Sequence, residues 1–186
     1  SDSRERRSRS PTSVSIRLTS RTSGRTSAGT ASRSCAISPR SRRATSARTR
    51  EKLEQLKQRY DGAAPVSYFY QVAANPLYTI NGQHLVSRGF ELCGGANIFQ
   101  DAAMLAPQVS HEAVIAADPQ VLLASASPGE ADPLALWHEW PRMQAVRQGR
   151  LFTLPADEIS RATPRTLDAL AEGCRLLNKS RTSAQL

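Results

Sequence analysis

The sequence has no run of about 18 apolar residues, so no segment reads as a transmembrane helix. No apolar stretch follows its basic start, and a signal peptide is not expected in the chain as given. It has no C-x-x-C pair, and His84, His111 and His138 stand at no zinc-finger spacing from Cys35, Cys93 or Cys174, so a metal site is not expected. Gly-rich phosphate loops are absent. Ser125 and Ser127 lack a nucleophile-elbow context, and Asp157 and Glu158 are neighbours rather than a separated acid/base pair. Neither an enzyme nor a catalytic cofactor is therefore expected. Residues 1–50 contain no lysine, tyrosine, phenylalanine or tryptophan, and their only acids are Asp2 and Glu5.

What that first stretch does contain is 13 arginines, for a net charge of +11, whereas residues 51–186 carry 12 basic and 14 acidic side chains, net −2. The sum is the chain's +9, so the basic character belongs to one end. An Arg/Ser/Thr-rich composition with few large apolar residues cannot bury enough surface to offset its ordering entropy, and 1–48 is expected to be disordered. Three origins compete. A nucleic-acid-binding arm would need aromatic stacking partners that it lacks. A solvated linker is the second. The favoured third is a wrong reading frame through GC-rich DNA, which yields this composition and would displace an ordered lobe; translating the upstream DNA in all three frames tests it.

From residue 49 the pattern changes. Leu53, Leu56 and Tyr60 lie on one helical face, ended by Asp61-Gly62 and Pro65. Val66–Val72 is β-branched and aromatic and reads as a central parallel strand. The turn Asn75-Pro76-Leu77-Tyr78 follows, then a helix from about His84 to Cys93 stopped by Gly94-Gly95. Ser110 reads as the N-cap of a helix through Ala117, with Glu112 in its first turn. Val121–Ser125 and Arg150–Leu154 read as two more strands. A helical stretch between them holds Leu134, Trp137, Trp140, Met143 and Val146. A last helix starts at Thr163-Pro164, with Leu167, Leu170, Ala171, Cys174 and Leu177 on its apolar face, and frays beyond about 178. Alternating strands and helices imply an α/β fold, a single three-layer lobe with a mostly parallel sheet flanked by helices, over 49–178.

Ligands of such sheets bind outside the carboxyl ends of the strands, which selects the loops 73–80, 125–133 and 155–163. The first offers Asn75 and Tyr78, the third Asp157 and Arg161. Four apart, Asp157 and Arg161 would share a face of a helical turn, either as an ordinary exposed pair or as two ligand contacts. Cys93 and Cys174 are either two buried thiols or one long-range disulfide.

Six segments occur in order: Phe69-Tyr70-Gln71-Val72, Asn75-Pro76-Leu77-Tyr78-Thr79, Leu92-Cys93-Gly94-Gly95-Ala96-Asn97-Ile98-Phe99, Ala106-Pro107-Gln108-Val109-Ser110-His111-Glu112, Ala145-Val146-Arg147-Gln148-Gly149-Arg150 and Arg161-Ala162-Thr163-Pro164-Arg165. Together they resemble the C-terminal lobe of the periplasmic cobalamin-binding proteins of ABC importers, within the wider iron-siderophore/cobalamin binding-protein family. The resemblance covers about 48–178. It implies a periplasmic, monomeric solute-binding protein whose transported ligand is cobalamin or a related corrinoid, held between two lobes of which this chain supplies the second, so that binding by it alone is weak. It implies that Asp157 and Arg161 face the ligand, with Asn75 and Tyr78 as further cleft residues. Val72 and Ala106 fall where relatives carry aromatic contacts. It implies that Glu112 docks onto arginines of the inner-membrane permease, and that Cys93 and Cys174 are bridged. A siderophore or haem carrier of the same fold is the nearest alternative. A nucleic-acid-associated protein using the basic arm is the alternative of another class; the folded lobe itself is not expected to bind nucleic acid.

Overall fold

The computed structural model describes residues 39–159, 161 and 163–182, all within one unit, Ile37–Leu186. In chain order the elements are α1 (Pro39–Arg59), β1 (Val66–Gln71), β2 (Ala73–Ala74), β3 (Leu77–Tyr78), α2 (Leu85–Glu91), β4 (Gly95–Asn97), α3 (His111–Ala117), β5 (Val121–Ala126), a 3-10 turn (Ala135–Glu139), α4 (Gln144–Arg147), β6 (Leu151–Pro155), α5 (Ala156–Ile159) and α6 (Thr166–Thr182). The main sheet has the order β4-β1-β5-β6 and every pairing in it is parallel. The expected three-layer α/β lobe is what forms.

The period-2 alternation of each strand divides the core in two. Tyr68 and Tyr70 of β1, Val121 and Leu123 of β5, and Phe152 and Leu154 of β6 face α1, α2 and α6. Phe69, Leu122, Ala124 and Leu151 face α3, the 3-10 turn and α4, where Val114, Trp137 and Met143 meet them. Ser67, the polar exception in β1, is explained by Gln120: its backbone N–H donates to the Gln120 Oε1 at 3.0 Å, and the Gln120 N–H donates back to its carbonyl and hydroxyl.

Several boundaries differ from those read off the sequence. The first helix starts at Pro39, ten residues before the expected 49. Proline suits a first helical turn, and the Arg and Ala residues that follow are good helix formers whatever their burial. The rest of the stretch expected to be disordered, residues 1–38, lies outside the described residues. The glycine pair splits its duties: Gly94, at φ +73°, ends the α2 region, while Gly95 opens β4. That strand carries Gly-Ala-Asn, with no β-branched or aromatic residue to announce it, and exists through its pairing with Val66–Tyr68. The helical stretch around the tryptophans is two short pieces, because Pro141 has no N–H to continue the first. The last helix begins at Thr166, after a turn at 163–165, and holds to Thr182 instead of fraying at 178. Tertiary bonds hold its end: the Arg181 guanidinium donates to the carbonyls of Ala64 (2.6 Å) and Cys93 (2.5 Å).

Helices α2 and α6 lie unusually close. A Cβ on Gly89 would stand 2.6 Å from the Leu170 methyls. One turn on, Cys93 and Cys174 form a disulfide, Cα–Cα 5.6 Å, across 81 residues of chain. The bridge implied by the resemblance is thus present, and two separate thiols are not.

Candidate functional site

The connections of the sheet locate its binding edge. After β1 the chain crosses through α2 to β4 on one side. After β5 it crosses through α4 to β6 on the other. The two neighbouring strands β1 and β5 therefore send their following segments in opposite directions, and the crevice outside their carboxyl ends is the topological switch point.

At that point sits Gln71, the last residue of β1, which the sequence reading passed over as one more strand residue. It is buried, and both ends of its amide are engaged: Nε2 donates to the Pro133 carbonyl at 2.6 Å and Oε1 accepts from the Trp137 indole N–H at 2.7 Å. The loop after β5 is thereby hooked over the end of β1. The switch point is closed by the protein's own side chains, and what remains for a ligand is the broad rim around it.

On the β1 side the rim is a small platform. The backbone turns at Asn75 and Pro76, joined by a cis peptide bond, so that β2 and β3 pair antiparallel, Ala73 with Tyr78 and Ala74 with Leu77. The segment 105–109 lies along the far side of β3: Asn81 N–H donates to Leu105 O (3.0 Å), Thr79 N–H to Pro107 O (3.1 Å) and Val109 N–H to Leu77 O (3.0 Å). The Thr79 hydroxyl donates to Tyr70 O at 2.7 Å and the Asn81 amide to Ala102 O at 2.9 Å, pinning the platform to the sheet. Asn75 is exposed at its tip and Tyr78 is half-buried in its middle.

Asp157 and Arg161 lie at the other end of the rim, beyond β6. With β5 between them and β1, they stand about two strand spacings, or about 10 Å, along the edge. Asp157 is on the single turn α5, which stops at Ile159, so the helical pairing open to the two side chains does not form: both are exposed and no ion pair joins them among the described residues. The Arg161 backbone is held, its carbonyl accepting from Thr163 N–H at 2.8 Å and from the Thr166 hydroxyl. The structure thus brings the four expected cleft residues to one edge without bringing them into contact.

Helix α3 starts on the same edge and runs back beneath the sheet to β5. Ser110 caps it, its hydroxyl oxygen accepting from Ala113 N–H at 3.2 Å. Glu112 is exposed in the first turn, and its own backbone N–H, then the Ser110 hydroxyl, hold its carboxyl below the usual glutamate range. The preceding His111 stacks on Trp140 (ring centroids 5.6 Å, 19° between planes) and touches Trp137, which ties the start of α3 to the segment after β5. Among the described residues no cluster of three or more His, Cys, Asp or Glu could hold a metal. A groove of about 480 Å³ opens between the far end of α3 and the Trp140–Met143 segment, lined by Ile115, Asp118, Trp140 and Arg142 among others; it lies away from the carboxyl edge.

Three exposed apolar side chains also stand on this rim: Val72, which the resemblance had pointed to, and two that the sequence reading did not nominate, Met104 and Leu105. The signal that could have found the last two is a Met-Leu pair in a loop with no helical or strand period to absorb it.

The vitamin B12-binding protein of Vibrio parahaemolyticus serotype O3:K6 (strain RIMD 2210633) is 40% identical over 126 residues, 67% of this chain and 45% of the relative. That of Vibrio cholerae serotype O1 (strain ATCC 39541 / Classical Ogawa 395 / O395) is 39% identical over 132 residues, 69% of this chain and 46% of the relative. The crystal structure of the periplasmic vitamin B12 binding protein BtuF of Vibrio cholerae superposes with a TM-score of 0.70 at 35% identity, covering 77% of this chain and 56% of that one. A periplasmic haem-binding protein, RhuT from Roseiflexus sp. RS-1, shares the fold with a TM-score of 0.63 at 23% identity. The chain spans about half the length of the curated relatives it matches. The family model described as periplasmic binding protein matches residues 42–158, and the chain belongs to the periplasmic binding protein family.

Proposed function

We propose that the chain is a non-catalytic solute-binding component of an ABC importer, taking cobalamin or a related corrinoid in the periplasm and delivering it to an inner-membrane permease. The observation that carries this reading is the convergence of Asn75, Tyr78, Asp157 and Arg161 on one carboxyl edge of a parallel sheet. The relatives named for vitamin B12, at 35–40% identity, supply the ligand class. On this reading Asp157 and Arg161 hydrogen-bond the carboxamides at the ligand's periphery, and Asn75 and Tyr78 meet it at the other end. Glu112, anionic and exposed beside the rim, meets cationic side chains of the permease. The disulfide fits an oxidising compartment.

The described lobe offers one wall, and a ligand held on one side binds weakly. Calorimetric titration with cyanocobalamin should give saturable binding that is weaker than that of the Vibrio cholerae protein and is lost in Asp157→Ala/Arg161→Ala. Absence of saturable binding would overturn the ligand assignment, and affinity equal to the relative's would overturn the one-wall picture.

A further inference from the structure

The groove between α3 and the Trp140–Met143 segment has fixed walls. Helix α3 is tied to the segment facing it at both ends. At its start His111 stacks on Trp140, and at its end the Asp118 Oδ1 accepts from Gln144 N–H at 2.7 Å. Between the two ties the walls stand apart over about 480 Å³, and Ile115, Trp140 and Met143 line that space with apolar surface. Met143 is buried, while Ile115 and Trp140 pack against the core on one side and keep part of their surface in water. Pinned at both ends, the walls cannot close over this hydrocarbon, and contact with an apolar group from outside would relieve its exposure.

The lip of the groove is charged, and mostly of one sign. Asp118 and Glu139 stand on it, both exposed, and Arg142 is the one cation among its described lining residues. Glu112 extends the same lip. Val114 points from α3 to the core. At 3.6 residues per turn, His111 and Ile115 follow Val114 at about 60° and 100° around the axis, on the side of Trp140. Glu112 comes next, about 60° beyond Ile115 and about 4.5 Å from it along the axis. It therefore lies just outside the groove and not on the opposite side of the helix. With it the lip has three carboxylates against one guanidinium.

We propose that this groove takes an extended segment of the permease in which a basic residue stands beside a bulky apolar one. The apolar side chain covers Ile115 and Trp140, and the basic one is met by the carboxylates of the lip. The inference deepens the docking reading of Glu112 and rests on it. A lone exposed carboxylate makes a weak contact that salt screens. An apolar anchor seated beside it supplies affinity and fixes register. The occupant is an extended chain because a group held between Ile115 and Trp140 and a group bonded to Glu112 stand nearly a helical turn apart along α3. The groove lies away from the carboxyl edge, so a segment seated in it leaves that edge to the ligand.

Ile115→Ser removes one apolar wall, and Arg142→Glu adds a carboxylate to the lip at an exposed position where folding is not at stake. The full chain is titrated onto proteoliposomes carrying a cobalamin permease. Ile115→Ser should bind about fivefold more weakly or worse. Arg142→Glu should associate severalfold faster, with a steeper dependence on salt. Cyanocobalamin titration should be unchanged in both. Wild-type association in either variant, with Glu112→Gln impaired in the same assay, overturns the proposal and leaves the docking reading standing. If Glu112→Gln also associates as the wild type does, that reading falls and the groove's assignment with it. Self-association of the wild type that Ile115→Ser abolishes, with proteoliposome binding intact, gives the groove to a second copy and overturns the proposal too.

Discussion

The ring of Phe90 lies over Gly173 so closely that a Cβ there would stand 2.3 Å from its Cε1. Together with Gly89 beneath Leu170, this forms a reciprocal pair of notches by which α2 and α6 approach each other. Gly173→Ala gains up to about 1 kcal/mol of helix propensity, and overpacking a buried, immobile ring costs about 1–3 kcal/mol. The net expectation is destabilisation by about 1–2 kcal/mol, read as a lower urea midpoint with an unchanged slope. A neutral or stabilising result would show that the two helices can move apart.

The disulfide in the next turn closes 81 residues. In the chain-entropy picture this contributes about 4 kcal/mol, acting mainly on the unfolded chain. Cys93→Ser/Cys174→Ser, compared with the oxidised wild type in urea, should lose about that much while keeping the same circular dichroism at zero denaturant. A loss below about 1 kcal/mol would place the constraint elsewhere.

His84 caps α2 with its Nδ1, which accepts from Val86 N–H at 3.2 Å. Only the neutral ring can accept there, and burial lowers its pKa from 6.5. The folded state therefore binds fewer protons than the unfolded one between the lowered folded value and pH 6.5. The stabilisation is full above that pH and is lost as pH falls through the lowered folded value. The protection of the Val86 and Ser87 amides, measured as exchange relative to the intrinsic rate at each pH, should fall on acidification. His84→Asn keeps a capping oxygen and should remove the pH dependence, while His84→Ala should cost about 0.5–2 kcal/mol at neutral pH.

Glu112→Gln tests docking separately from ligand binding. Cyanocobalamin titration should be unchanged, because the side chain is exposed on α3 rather than on the platform. Association with permease vesicles should slow severalfold and lose part of its salt dependence. Since its carboxyl is held below the ordinary glutamate range, wild-type docking should weaken at a lower pH than an ordinary glutamate would require.

Much of this was legible before the fold was seen, for physical reasons. Strand β1 is rich in β-branched and aromatic residues, β5 opens on the unbroken apolar run Val121–Ala124, and Ser110 is followed by a helix that its hydroxyl caps, so local chemistry and global position agree. What stayed hidden depends on neighbours distant in sequence. Gly95 is a strand residue only because Val66 pairs with it. The end of α6 is ordered because Arg181 reaches carbonyls 88 and 117 residues away. Asp157 and Arg161 have helical spacing in sequence, but the turn that would align them stops at Ile159. Gln71 looked like strand, and its role appears only once Pro133 and Trp137 are beside it.

That role bears on the entropy of capture. A loop free to wander must lose its freedom when a guest arrives, at about 1–2 kcal/mol for each residue fixed. Here the segment after β5 is fastened at Pro133 and Trp137 during folding. On the proposed function, the wall that would face the ligand is preorganised where Gln71 holds the segment after β5, which lowers the ordering cost of binding there. Such a surface would discriminate by shape already present, its segment after β5 being fastened before any ligand arrives.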